Sequence, residues 1–124
     1  MAITLQGAKR TDAGTLAATV TPKLLFLGFL DDGGGDPTIY ASPNANTTGV
    51  VHGITIVNPD ASPHDVFFTN NGVNSEAVLH ITIVAGARAQ FHGPFIVMPS
   101  TTLYAICDTA GVVTATVGGA EHVV

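Results

Sequence analysis

The stretch that decides the fold is Phe91–Gly119, FHGPFIVMPSTTLYAICDTAGVVTATVGG. An apolar run, Phe95–Met98, ends at Pro99-Ser100, and a second, Thr102–Cys107, follows at once. Asp108–Gly111 predicts a turn and Val112–Val117 a third strand, in which Val113, Ala115 and Val117 alternate with Thr114 and Thr116. A period of two assigns one row to a core and the other to water or a neighbour. Cys107 falls in such an alternating strand and reads as a small apolar residue. These are the closing strands of a small β-sandwich, and none of them carries the spacing of a catalytic motif.

The same rhythm runs back through the chain. Leu24–Leu30 (LLFLGFL) is an apolar run of buried-strand length, stopped by the loop Asp31–Pro37 (DDGGGDP), whose three glycines and Asp-Pro step cannot continue a regular element. Thr38–Ala41, Gly49–Asn58, Val66–Thr69 and Ala77–Ala85 predict further strands, separated by Ser42-Pro43, by Pro59–Pro63 and by the Asn-Gly hairpin signal of Asn70–Asn74. Period two puts His52, Ile54 and Ile56 on one face of the third strand and Val51, Thr55 and Val57 on the other. In the fifth it sets Leu79, Ile81, Ile83 and Ala85 against Val78, His80, Thr82 and Val84. No stretch has a helical period. The prediction is all-β: a single jelly-roll-like β-sandwich of about eight short antiparallel strands over residues 24–124, preceded by an extended arm at residues 1–23.

Composition narrows the function. The chain has 124 residues, enough for one domain with a core of its own. Only 10% of residues are charged, against about 25% in an ordinary soluble domain, which suits a protein whose surface is covered in an assembly. The net charge is −5, and three of the four basic residues, Lys9, Arg10 and Lys23, sit in the arm, leaving Arg88 alone in the body. No basic stripe exists to follow a phosphate backbone, so nucleic acid is not an expected partner. A single cysteine forms no internal disulfide, which argues against a stapled secreted fold. MAITLQGAKRTDAG lacks the apolar segment of a signal peptide, and Leu24–Leu30 is too short to cross a bilayer, so synthesis in the cytoplasm and no membrane partner are expected.

Candidate chemistry is sparse. The five histidines, His52, His64, His80, His92 and His122, show no HxH, HExxH or Cys-paired spacing. A zinc site needs three or four converging ligands, and the pair that strand placement could bring together is His52 with His80. Histidines gathered at an interface would respond to pH. Asp31, Asp32 and Asp36 lie around three glycines, as calcium ligands could, but without the EF-hand order; a solvated loop is the simpler reading. Asn46-Thr47-Thr48 matches a glycosylation sequon, although the asparagines here suit turn geometry. No GxSxG elbow, no Ser-His-Asp order and no framed carboxylate pair is present. No catalytic residue, cofactor or metal is therefore expected, and the chain reads as a non-enzyme.

From Thr38 to its end the chain resembles a group of small β-sandwich virion proteins of tailed bacteriophages. The likeness is carried by TIYASP, by ANTTGVVHGITIVN, by HDVFFTNNGVN, by GPFIVMPSTTLYAICDTAG and by VTATVGGAEHV. It implies a virion structural protein assembled in the host bacterial cytoplasm. In its first form this is a capsid decoration (cement) protein, which binds assembled major capsid protein and other virion proteins, as a homo-oligomer with a trimer favoured, and stabilises the head shell. The other readings are a tail, baseplate or neck adaptor or fibre-attachment subunit, and a carbohydrate-binding host-attachment module relying on Tyr40 or Tyr104. The resemblance transfers no catalytic residues. The 24–37 segment and the arm depart from the group's pattern, so contacts are expected at Ile3, Leu5, Lys9 and Arg10 in the arm, at Asp31, Asp32 and Asp36 in the loop, and on exposed Thr-rich strand faces.

Overall fold

The computed structural model describes residues 19–70 and 77–124. Every regular element among them is a strand: β1 (Thr19–Phe29), β2 (Thr38–Ala41), β3 (Thr47–Val57), β4 (His64–Asn70), β5 (Ala77–Ile83), β6 (Arg88–Val97), β7 (Thr102–Cys107) and β8 (Thr114–Val123). They form two four-stranded sheets, ordered β1-β8-β3-β6 and β2-β7-β4-β5, with every named pair antiparallel. Only β4–β5 is a hairpin within one sheet; the other connections cross between sheets. Eight strands wound this way make a jelly roll, the predicted fold class.

The core lies between the sheets and follows the alternation of the sequence. Val113, Ala115 and Val117 are buried while Thr116 faces out, and Leu103, Ala105 and Cys107 are buried along β7. Val66 and Phe68 of β4 and Ile83 of β5 complete the opposing layer, with Phe68 the largest fully buried side chain. Cys107 is the small core residue it was expected to be.

Three strands run far past their apolar runs. β1 starts at Thr19, so residues 19–23, expected in the arm, pair with β8 from Thr19↔Val123 onward. β6 begins at Arg88, well before the apolar run that opens at Phe95, and continues through Pro94. β8 runs past Gly118-Gly119 to Val123. In each case backbone pairing with a neighbour extends the strand into a segment with no apolar signal of its own.

The predicted face of β3 is corrected. His52 points outward while Val51, Ile54 and Ile56 are buried, because the register slips between Val51 and Gly53 against both β6 and β8. A bulge of this kind resets a period-two pattern and bends the strand. The flanking strands accommodate it with glycine: a Cβ on Gly93 of β6 would lie 2.1 Å from the Val51 carbonyl oxygen, and one on Gly119 of β8 would lie 1.8 Å from that of Val50.

Candidate interaction surface

Among the described residues each sheet has two open edges, and they are defended unequally. On the β1-β8-β3-β6 sheet, β6 carries Arg88 and Pro94, and the first half of β1 carries Pro22 and Lys23. On the other sheet, β2 is only four residues long, while β5 has seven residues with neither proline nor a charged carboxylate, lysine or arginine. Short strands, prolines and charges all discourage a further strand from pairing. The second half of β1, Leu24–Phe29, has none of these. It is an uncharged, proline-free edge on which Leu24, Leu27 and Phe29 are 56%, 68% and 62% exposed.

The register shows what lies beside that edge. Leu27 sits across from Thr116, which sits across from Thr55, which sits across from Gln90; Phe29 heads the row Thr114, Val57, Arg88. The outer face thus runs from apolar at β1, through threonine, to polar and basic at β6. The Thr-rich faces expected as contact surfaces include this one.

Phe29 leads through buried Leu30 into the Asp31–Asp36 loop. Its carboxylates are turned onto their own backbone: Asp31 Oδ2 accepts from the N–H groups of Gly33 (2.8 Å) and Gly35 (3.0 Å), Asp32 Oδ1 from Gly34 (2.9 Å) and Asp36 Oδ1 from Thr38 (3.1 Å). The loop is internally tied rather than loose, and it docks on β7 through Cys107 N–H to the Asp31 carbonyl (2.8 Å). Of the expected contact residues, Asp31, Asp32 and Asp36 thus lie in a loop that follows β1 and is tied to β7, whereas Ile3, Leu5, Lys9 and Arg10 lie outside the described residues.

The two sheets are bridged near the same edge. Tyr40 of β2 packs its ring against Gly49 of β3, and its hydroxyl donates to Glu121 Oε2 of β8 at 2.6 Å, while Lys23 Nζ of β1 lies 3.2 Å from Glu121 Oε1. Tyr40 is 6% exposed and its phenol is held far above its ordinary pKa by burial and by Glu121; it offers no ring face to a sugar, which removes it as a platform. The Tyr40 hydroxyl, with help from Lys23, holds the Glu121 carboxyl below the usual range. A carboxyl shifted down stabilises the fold above the unfolded-state value of about 4.3 and loses that contribution as pH falls through its lower folded value. Tyr40→Phe should therefore lower stability by about 1.5–3 kcal/mol at neutral pH, the range for a hydrogen bond to a charged group. Urea unfolding midpoints of the two proteins should converge as the pH is taken below 4.3 (about the free carboxyl value); a gap unchanged in acid would refute the linkage.

At the opposite end of β4 the fold builds a polar cluster. Asn58, fully buried, anchors the turn before β4 by donating from Nδ2 to the carbonyls of Ser62 (2.9 Å) and Ile83 (2.9 Å) and accepting from the Asp60 N–H (3.0 Å). This places Asp60 Oδ2 2.8 Å from His64 Nε2, while Asp108 Oδ1 lies 2.5 Å from His64 Nδ1. Asp108 Oδ2 accepts from the Asp65 N–H at 3.0 Å, and Cys107 Sγ lies 3.6 Å from Asp108 Oδ1. The two carboxylates, Asp60 foremost, raise the imidazole pKa; the Asp65 N–H and His64 hold Asp108 low; burial pushes the Cys107 thiol up. A buried thiol directed at a carboxylate is the reverse of an activated nucleophile.

His52 and His80, the pair that strand placement could have brought together, lie in β3 and β5 of different sheets; His80 stacks on Phe67, centroids 4.0 Å apart. The sequon asparagine sits in a turn built by its neighbour: Asn44 Oδ1 accepts from the Asn46 N–H (2.8 Å) and the Thr47 hydroxyl (3.0 Å). Sequence reasoning missed the His64 cluster because residues 64 and 107–108 become neighbours only when β4 pairs with β7, in the register Val66↔Cys107.

The sequence matches no protein-family model and no curated protein. Among solved structures it is similar to a subunit of the Bacillus endospore appendages, described as a novel family of disulfide-linked pili. The identity is 16%, the alignment covers 96% of this chain and 99% of that one, and the TM-score is 0.54. Matches also occur to infectious bursal disease virus proteins. The Gx strain structure aligns at 13% identity over 95% of this chain and 38% of that one, with a TM-score of 0.47. The VP2 subviral particle aligns at 12% over 95% and 37%, with a TM-score of 0.43. At the identity of the appendage subunit, what is shared is the fold.

Proposed function

We propose that this chain is a non-enzymatic structural subunit of a multi-copy assembly, a virion protein that decorates and stabilises a capsid shell. The observation that carries the proposal is the undefended edge Leu24–Phe29, with Leu27 and Phe29 exposed beside a threonine-rich face. An open, apolar edge in a sparsely charged protein is a place for another chain to add. The arm with Ile3, Leu5, Lys9 and Arg10 precedes this edge in the chain and the Asp31–Asp36 loop follows it, so one continuous segment holds every expected contact residue. A subunit that prefers the assembled shell stabilises it by mass action, and many copies make weak contacts effective. Binding to major capsid protein, as a trimer, is the form the phage resemblance supports.

A second reading, a filament subunit, is favoured by the end-to-end likeness to an appendage pilin. One experiment separates them: sedimentation of the purified chain alone and with shells stripped of accessory proteins. Saturable retention at a copy number commensurate with the capsomers supports decoration. Ordered filaments from the chain alone support the second reading. A protein inert in both settings overturns the proposal.

A further inference from the structure

We propose that His64 Nδ1, Cys107 Sγ and Asp108 Oδ1 form a binding site for a borderline divalent cation of the zinc class. These three ligand atoms lie within 4.8 Å of one another. Two of the residues, His64 and Cys107, are buried, and the third is 45% exposed at its side chain, so a cation can arrive from solvent.

Both ring nitrogens of His64 are committed to carboxylate oxygens: Nε2 lies 2.8 Å from Asp60 Oδ2 and Nδ1 2.5 Å from Asp108 Oδ1. A proton on Nδ1 bridges that nitrogen to Asp108 and satisfies these two atoms alone; a metal ion takes the proton's place. A metal ion also recruits the thiolate, 3.6 Å from the same Oδ1. Tetrahedral zinc, with bonds of about 2.0–2.3 Å, holds its ligand atoms roughly 3.3–3.7 Å apart. The sulfur–oxygen pair already has that spacing, and the nitrogen–oxygen pair reaches it by opening about 1 Å. Binding releases the Nδ1 proton and the thiol proton to solvent, and water completes the coordination on the exposed side.

The supporting shell is that of a metal centre. A carboxylate on the far nitrogen of a ligating histidine and a hydrogen bond holding a ligating carboxylate are the usual orienting contacts. Here they are Asp60 on Nε2 and the Asp65 N–H on Asp108 Oδ2. The mixture of nitrogen, sulfur and oxygen donors selects zinc-like ions over calcium or magnesium.

Cobalt(II), a spectroscopic stand-in for zinc, tests this on the full chain. Cys107 is the only cysteine, so a thiolate-to-cobalt charge-transfer band reports this site and no other histidine can mimic it. The expected result is a band saturating at one cobalt per chain, displaced by zinc and unaffected by calcium. It should be absent in Cys107→Ser. Asp60→Asn, which leaves all three ligands in place, should weaken cobalt binding roughly 10–100-fold. Failure of the unaltered protein to develop the band in excess cobalt overturns the site, as does a band in Cys107→Ser. The outcome is independent of whether the chain joins a shell or a filament.

Discussion

Gly119→Ala is expected to prevent stable folding, whereas Gly118→Ala, one residue away, should leave stability unchanged or slightly improved. A Cβ on Gly119 would stand 1.8 Å from the Val50 carbonyl oxygen, 2.9 Å from its carbon and 3.1 Å from Val51 Cα. These are backbone atoms of β3, which pairs with β8 on one side and β6 on the other. Val51 cannot move toward β6 either, since Gly93 already occupies that side at a distance where a Cβ would meet the Val51 oxygen at 2.1 Å. Retreat therefore breaks ladder hydrogen bonds in the centre of the sheet. The cost should reach about 4 kcal/mol or more, in the tail reserved for specific steric or backbone faults, against a total stability of about 5–15 kcal/mol. Gly118 meets nothing within 4 Å and has no left-handed φ, so its methyl only removes freedom from the unfolded chain, worth about 0.4–1 kcal/mol. Thermal melts by circular dichroism decide the matter: two variants of equal stability would show that the close approach at the β3 bulge is not limiting.

Leu27→Lys combined with Phe29→Lys should abolish assembly without harming the fold. Both side chains are largely exposed, so in the free subunit the change should stay within about 0.5 kcal/mol. At an interface the same side chains would be central anchors. Loss of one such anchor costs about 2 kcal/mol or more, roughly a thirtyfold loss of affinity, and two lysines on an edge strand discourage any further strand from pairing. Sedimentation with stripped shells and of the chain alone gives the readout, with the melting temperature as control. Full assembly by a well-folded double variant would show that contacts lie elsewhere, and β6, with Ile96 and exposed Met98 at its end, would be the next surface to alter.

The amino-acid order alone foretells the strands and most of their inward faces. β2 and β7 match their apolar runs residue for residue, and the alternation of Val113, Ala115 and Val117 with threonine reads the same in the structure. It worked because each of these segments is buried on one face and exposed on the other, a condition a period of two records directly. It also placed the Asp31–Asp36 loop, since three glycines and an Asp-Pro step leave no other choice.

Three features came from the packing of strands into sheets. It set the bulge at Val51–Gly53 that turned His52 outward, because a slip in register answers to both neighbouring strands and not to local composition. It made Leu24–Phe29 an edge: an apolar run signals burial, and only the strand order shows that, among the described residues, β1 has a partner on one side and none on the other. It also brought His64 to Cys107 and to Asp108, 44 residues further along the chain, by pairing β4 with β7. Local pattern encodes which face of a strand avoids water; which strands meet, and so which polar groups converge, is settled only when the sheets close.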